Sequence, residues 1–236
     1  MTINTAYRSH VGLIRASNQD AVLYMPQKGL YGIADGMGGH NGGDIASQMA
    51  VDMLGQLIRE PYPEAEKLRK SIRTVNYMIY QRQMNEPELC GMGTTLTVFS
   101  VREDRLILEH VGDSRAYRIR NGVLEQMSQD HSLVGEMVRD GILSAEEAAL
   151  SPYRHVITRA VGTEPDVDVD VSEYKLKAGD RWLICSDGLY EHVTDAEICD
   201  ILKQNSPEIA ADILLNKALE KGGTDNISIL ISEVTV

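Results

Sequence analysis

The stretch Leu30-Tyr31-Gly32-Ile33-Ala34-Asp35-Gly36-Met37-Gly38-Gly39-His40-Asn41-Gly42-Gly43-Asp44 runs an apolar segment into a single carboxylate, and five glycines follow within eight residues before a helical pattern begins. A flexible linker would lack both the buried strand leading in and the amphipathic helix leading out. Glycines let the backbone turn tightly and bring main-chain amides and carbonyls against a small ligand. The stretch therefore reads as strand, ligand-binding turn and helix.

Outward from this stretch the pattern is strand-rich. Residues 3–10, 21–25 and 30–34 read as strands, with Pro26-Gln27-Lys28-Gly29 as the turn of a hairpin. Between the first two lies the non-periodic segment Arg15-Ala16-Ser17-Asn18-Gln19-Asp20. On the other side, Ile45, Met49, Met53, Leu54, Leu57 and Ile58 recur at helical spacing until Pro61, with Asp44 as the expected N-cap. A second helical stripe runs from 64 to 84. The middle reads as a β-meander over 94–101, 105–111, 116–120 and 123–127, and Asn121-Gly122 is a strong hairpin signal. Short helices over 133–139 and 145–150, with irregular chain around Pro152, read as an insertion over a sheet edge. Strands at 167–174 and 181–185, helices at 195–202 and 207–219, and a strand at 226–234 complete the pattern. Hairpins and meanders predict antiparallel sheets covered by helices, an α+β fold, rather than alternating βαβ units.

The composition sets the remaining bounds. With 236 residues, 43% hydrophobic and 25% charged, the chain is expected to form one domain over 1–236. A net charge of −12 without a compensating basic cluster argues against nucleic acid or an anionic membrane as partner. An acidic protein acting on phosphate needs a cation. Cys90, Cys185 and Cys199 are odd in number and widely spaced, which fits free thiols in a reducing cytoplasm. No targeting pattern opens the sequence, and no apolar run approaches the ~18 residues of a membrane span.

One feature exceeds what folding requires. Apolar runs end in aspartate beside glycine or serine at Ala34-Asp35-Gly36, Gly112-Asp113-Ser114, Ser186-Asp187-Gly188 and Thr224-Asp225-Asn226. Any one of these alone reads as a turn. Their recurrence, with Asp20, predicts strand ends that converge into a carboxylate cluster, which needs cations to be tenable. Oxygen donors without His-x-x-x-His or Cys-x-x-Cys spacing favour Mg²⁺ or Mn²⁺ over zinc. Arg15, in its irregular loop before Asp20, suits bidentate capture of a phosphate beside such ions.

In order, Arg15-x-x-Asn18-Gln19-Asp20, Asp35-Gly36-Met37-Gly38-Gly39-His40, Gly91-Met92-Gly93-Thr94-Thr95, Val111-Gly112-Asp113-Ser114-Arg115-Ala116-Tyr117, Asp130-His131-Ser132, Ile184-Cys185-Ser186-Asp187-Gly188-Leu189 and Thr224-Asp225-Asn226-Ile227 resemble the bacterial PPM or PP2C-type metal-dependent protein serine/threonine phosphatases. The likeness spans residues 7 to 232. It implies a four-layer α-β-β-α sandwich of two antiparallel sheets flanked by helices, with a flap over about 133–165 beside the site. It also implies two core Mn²⁺ or Mg²⁺ ions, with Asp35 bridging them, the Gly36 carbonyl on one, and Asp187 and Asp225 on the other. Asp20 would act nearby, directly or through water, and Asp113 would share a third, weaker ion with Asp187. Arg15 would hold the substrate phosphate. Met37 stands where animal members carry a histidine proposed as general acid, so His40 or a water on the third ion becomes the candidate proton donor.

The implied reaction is hydrolysis of phosphoserine and phosphothreonine esters on proteins by a hydroxide held between two ions, opposing a bacterial Ser/Thr kinase. No covalent intermediate is needed, and the protein is expected as a cytoplasmic monomer. Leu96, Glu191 and Asn205 stand six residues after the three cysteines, where a Cys-x5-Arg phosphatase needs arginine. No Gly-x4-Gly-Lys loop occurs either. Two other readings stay open: a non-catalytic phosphoprotein-binding module on the same fold, and a hydrolase of small phosphate esters. In the flap, Met137, Arg139, Arg154 and His155 are candidates for substrate contact.

Overall fold

Side chains along β10 (Arg181–Cys185) alternate between two different cores, and that alternation sets the architecture. Trp182 and Ile184 enter one core with Tyr31, Ile33, Phe99, Leu108 and Leu230, while Leu183 and Cys185 enter another with helical residues such as Leu202 and Leu214. A strand buried on both faces must lie inside a layered sandwich. The computed structural model describes residues 2–38 and 42–235.

One sheet contains β1 (Thr2–His10), β11 (Ile227–Thr235), β10, β7 (Arg115–Arg120) and β8 (Val123–Gln126) in that order. The other contains β2 (Asp20–Met25), β3 (Leu30–Met37), β5 (Leu96–Arg102), β6 (Arg105–Val111) and β9 (Asp170–Lys175), with the short β4 (Gly93–Thr94) added on β3. Every pairing is antiparallel. Helices α1 (Gly43–Leu57) and α2 (Ala65–Asn85) cover the β2–β9 sheet through Ala50, Leu54, Ile72 and Ile79, packed on Leu23, Ala34 and Val98. Helices α6 (Asp195–Gln204) and α7 (Pro207–Glu220) cover the other sheet. Four layers result, as expected. Between the sheets Trp182 is fully buried, edge-on to Phe99 at 5.4 Å between ring centroids. Burying a side chain of this size contributes about 2–3 kcal/mol.

Local chemistry explains most boundaries. Asn121 and Gly122 take φ of 54° and 78°, the left-handed pair that a two-residue hairpin needs. Thr194 and Glu197 form a reciprocal capping box on α6, and Ser206 followed by Pro207 starts α7. Three expectations are corrected. Gly42, not Asp44, caps α1, because the helix starts within the glycine run, and Leu57 ends it partly exposed. Strand β9 begins at Asp170, three residues later than expected. The supposed meander is two hairpins in different sheets: β5–β6 belongs to one and β7–β8 to the other. The chain changes sheet at Gly112, whose φ of 109° lies outside any strand conformation. Asp113 sits at that crossing.

The flap contains α3 (Leu133–Arg139) and α4 (Ala145–Leu150). Its base is closed by Leu133 N–H to the Val156 carbonyl at 2.8 Å and Thr158 N–H to the His131 carbonyl at 2.9 Å.

Candidate active site and metal centre

Asp20 opens β2 and Asp35 nears the end of β3, and the antiparallel register sets them directly opposite. Each has the parity of the residues that fill the inter-sheet core, Val22 for Asp20 and Ile33 for Asp35. Their carboxylates therefore enter the space between the sheets where the apolar core gives out. From the facing sheet, Asp187 follows the end of β10 and Asp225 precedes the start of β11. These strands pair antiparallel, so both ends lie on one rim. Asp113 joins from the crossing. The structure thus brings together all five aspartates that the sequence singled out.

Burial dominates the electrostatics of Asp20, Asp35, Asp113 and Asp187. Asp20 is pushed up to about 6 by burial, despite the Ser186 hydroxyl that donates to its Oδ2 at 2.8 Å. Burial and the charges of Asp20 and Asp187 hold Asp35 well above the ordinary carboxylate range. Burial, then Asp113 and Asp225, do the same to Asp187. Asp113 rises to about 7 through burial and Asp130. Asp20 Oδ1 is buried with no hydrogen bond among the described residues. Buried oxygens left without donors are costly, and an oxygen-only cluster of this charge fits hard divalent cations.

The backbone is held to this geometry. Asp35 N–H donates to Thr95 Oγ1 at 2.9 Å, and its carbonyl accepts from Thr94 Oγ1 at 2.9 Å. Gly36 has no alternative: a Cβ there would lie 1.9 Å from the Gly43 carbonyl oxygen. At Gly188 a Cβ would lie 2.1 Å from the Asn226 carbonyl oxygen. Asp113 is held from two sides. The Tyr190 hydroxyl donates to its carbonyl at 3.1 Å, and His131 Nδ1 accepts from the neighbouring Gly112 N–H at 3.0 Å. Arg115 braces the same corner, forked onto Asp130 at 3.0 and 2.7 Å and lying 3.8 Å from the Tyr190 ring centroid.

Arg15 Nη2 donates to Asp225 Oδ2 at 2.7 Å, so the guanidinium stands beside the cluster and is half-exposed. His40 lies outside the described residues. Sequence reasoning missed Asn226. Its Oδ1 accepts from Gln19 N–H at 2.7 Å, and its Nδ2 donates to the Val11 and Ser17 carbonyls at 2.9 and 3.0 Å. One amide therefore fastens the Arg15 loop to the start of β11. The only signal was its place after Asp225. Also unforeseen was α5 (Asp187–Tyr190), a single turn that sets Glu191 one turn beyond Asp187.

The family model for Protein phosphatase 2C matches residues 13–221. A serine/threonine phosphatase stp of Listeria welshimeri is 39% identical, over 98% of this chain and 96% of its own length. The crystal structure of the Mycobacterium tuberculosis serine/threonine phosphatase PstP/Ppp superposes with a TM-score of 0.93 at 37% identity, covering 100% of both chains. A structure of the PstP catalytic domain with two manganese ions gives a TM-score of 0.91 at 37% identity, over 99% of each chain. With its sandwich, its convergent aspartates and these likenesses, the chain belongs to the protein phosphatase 2C family.

Proposed function

We propose that this chain is a metal-dependent protein phosphatase that hydrolyses phosphoserine and phosphothreonine esters on proteins, opposing a Ser/Thr kinase in the cytoplasm as a monomer. The observation that carries the reading is the convergence of five buried or half-buried aspartates with Arg15 alongside. Asp35, the Gly36 carbonyl, Asp187 and Asp225 would hold two Mn²⁺ or Mg²⁺ ions, with Asp20 acting nearby, directly or through water, and Asp113 sharing a third with Asp187. When bound, such ions make a water nucleophilic near neutral pH and neutralise phosphoryl oxygens.

The chain's own residues do the rest. Arg15, beside Asp225 at the rim, would turn its guanidinium fork to the substrate phosphate and hold it in line. The leaving serine or threonine oxygen needs a proton, a role we give to His40. Ser186 and Thr95 fix Asp20 and Asp35 so that no reorganisation is needed during the reaction. A pure binding module on this fold could dispense with some of the carboxylates, yet all five stand together.

The test is phosphate release from a phosphothreonine peptide as Mn²⁺ is titrated. The native chain should turn over only with the ion, and Asp35→Asn and Asp225→Asn should each lower kcat/KM at least about 100-fold. Undiminished turnover in either variant would refute the assignment. Faster cleavage of a nucleoside phosphate than of the peptide would redirect it to small esters.

A further inference from the structure

Leu13 and Ile14 directly precede Arg15 and are 61% and 72% exposed. One exposed aliphatic side chain is ordinary on a protein surface. Two adjacent ones, held in solvent beside Arg15, are not explained by packing. Their loop is clamped along its length: Asn226 Nδ2 donates to the Val11 and Ser17 carbonyls at its two ends, and Leu13 N–H donates to the Gly223 carbonyl at 2.7 Å between them. At Gly12, where φ is 80°, a Cβ would lie 2.2 Å from the Asp225 carbonyl oxygen. The backbone itself therefore packs on the turn before β11, and the two side chains are left in solvent. In the flap, by contrast, the charged candidates for substrate contact are engaged. Arg139 Nη1 donates to the Asp130 carbonyl at 3.0 Å, and Arg154 and His155 approach Glu191 at 3.7 and 3.2 Å.

We propose that Leu13 and Ile14 form an apolar subsite, which takes an aliphatic side chain of the protein substrate one or two residues from its phosphothreonine or phosphoserine. The inference rests on the phosphatase reading and adds to it a preference for the sequence around the phosphorylated residue. Leu13 and Arg15 are two residues apart, at most about 7 Å along the backbone. An extended substrate segment advances about 3.3 Å per residue and covers that span in one or two places. With its phosphate on Arg15, the substrate therefore brings a neighbouring side chain over Leu13 or Ile14. Covering the pair removes apolar surface from water, and because the loop is already fixed, little ordering cost offsets that gain. An acidic neighbour finds no cation on this stretch of loop, since Arg15 is taken by the phosphate and Ala16, Ser17 and Asn18 are uncharged.

The test compares two phosphothreonine peptides that differ only in carrying leucine or serine at the two positions on each side of the phosphorylated residue. In the Mn²⁺-loaded native chain kcat/KM should be at least about tenfold higher for the leucine peptide, chiefly through KM. Replacing both side chains, Leu13→Ser together with Ile14→Ser, should bring that ratio to within about twofold of unity. Leu150→Ser, which removes an 85% exposed aliphatic side chain from the flap, should leave the ratio as it is. The ratio is taken within one protein, so a general loss of folded enzyme cancels. A second pair of peptides, with a non-hydrolysable phosphonate in place of the phosphate, reads the same preference as binding by fluorescence anisotropy. No preference in the native chain, a preference that survives the double substitution, or an equal loss in Leu150→Ser would overturn the proposal. A native chain that sediments as a dimer, with the double variant a monomer, would overturn it too, by giving the pair a second copy of this chain as occupant. Absent turnover of both phosphothreonine peptides with the phosphonate preference intact would tell against the phosphatase reading alone.

Discussion

Two buried aspartates share nearly the same sequence setting and have opposite fates. Asp180 lies in Gly179-Asp180-Arg181 and Asp113 in Gly112-Asp113-Ser114-Arg115. Asp180, 1% exposed, receives the Arg120 fork at 2.7 and 2.6 Å and the Lys177 N–H at 2.7 Å. Asp113, 6% exposed, receives no comparable cation among the described residues and is pushed up to about 7. The first sits where β10 begins, the second on the rim where β10 ends. Asp180, satisfied, holds the fold, and Asp113, unsatisfied on the rim, is left with capacity for a ligand. What separates structure from function here is the partner, not the residue or its burial.

The largest effect that can test this contrast is at Asp180. Asp180→Ala strands the Arg120 guanidinium and should cost about 3–5 kcal/mol in urea unfolding while leaving kcat within about twofold. Asp113→Asn in the metal-free protein should cost no stability, since it removes like-charge repulsion. Equal losses in the two variants would erase the distinction.

Asn226→Ala comes next. It removes the partner of one amide and two carbonyls at once and should cost about 2–3 kcal/mol. By loosening the Arg15 loop it should also raise KM more than it lowers kcat. A pure stability loss with unchanged KM would make Asn226 structural only.

A third carboxylate sharpens the comparison away from the rim. Glu109, on the helix-facing side of β6, is fully buried, with neither oxygen hydrogen-bonded among the described residues. Burial moves it from an ordinary 4.5 to about 8. In the unfolded chain it ionises near 4.5, in the fold only near 8. Its contribution to stability is therefore fully present below pH 4.5 and is lost as pH rises to 8. Glu109→Gln should be neutral in acid and stabilising by about 1–3 kcal/mol above pH 8, read from paired thermal melts. The smallest effect is expected at Arg15. Arg15→Lys keeps the charge but loses the fork, and should raise KM about tenfold.

Much of this was legible in the residues, for identifiable reasons. Continuous apolar runs between turn signals marked the central strands because each has two faces to bury, as Trp182 and Leu183 show. Asn121-Gly122 marked its hairpin because few residues accept both left-handed positions. The recurring aspartates marked the site because strand ends on one rim converge. Other features depended on contacts distant in sequence. Nothing local distinguishes Asp180 from Asp113, since Arg120 reaches the former from another strand. The sheet change at Gly112 looks like an ordinary turn until β7 pairs with β10. Asn226 read only as the first residue of the last strand, because its partners lie more than 200 positions away.

Strand β11 lies between β1 and β10, and its threshold carries Asp225 and Asn226. It is also the last of the described strands to be synthesised. A nascent chain on the ribosome can build the hairpin bearing Asp20 and Asp35 long before β11 leaves the exit tunnel. Until β11 pairs, the Arg15 loop lacks its Asn226 anchor and the rim lacks one wall, so the site is complete only once this strand is in place.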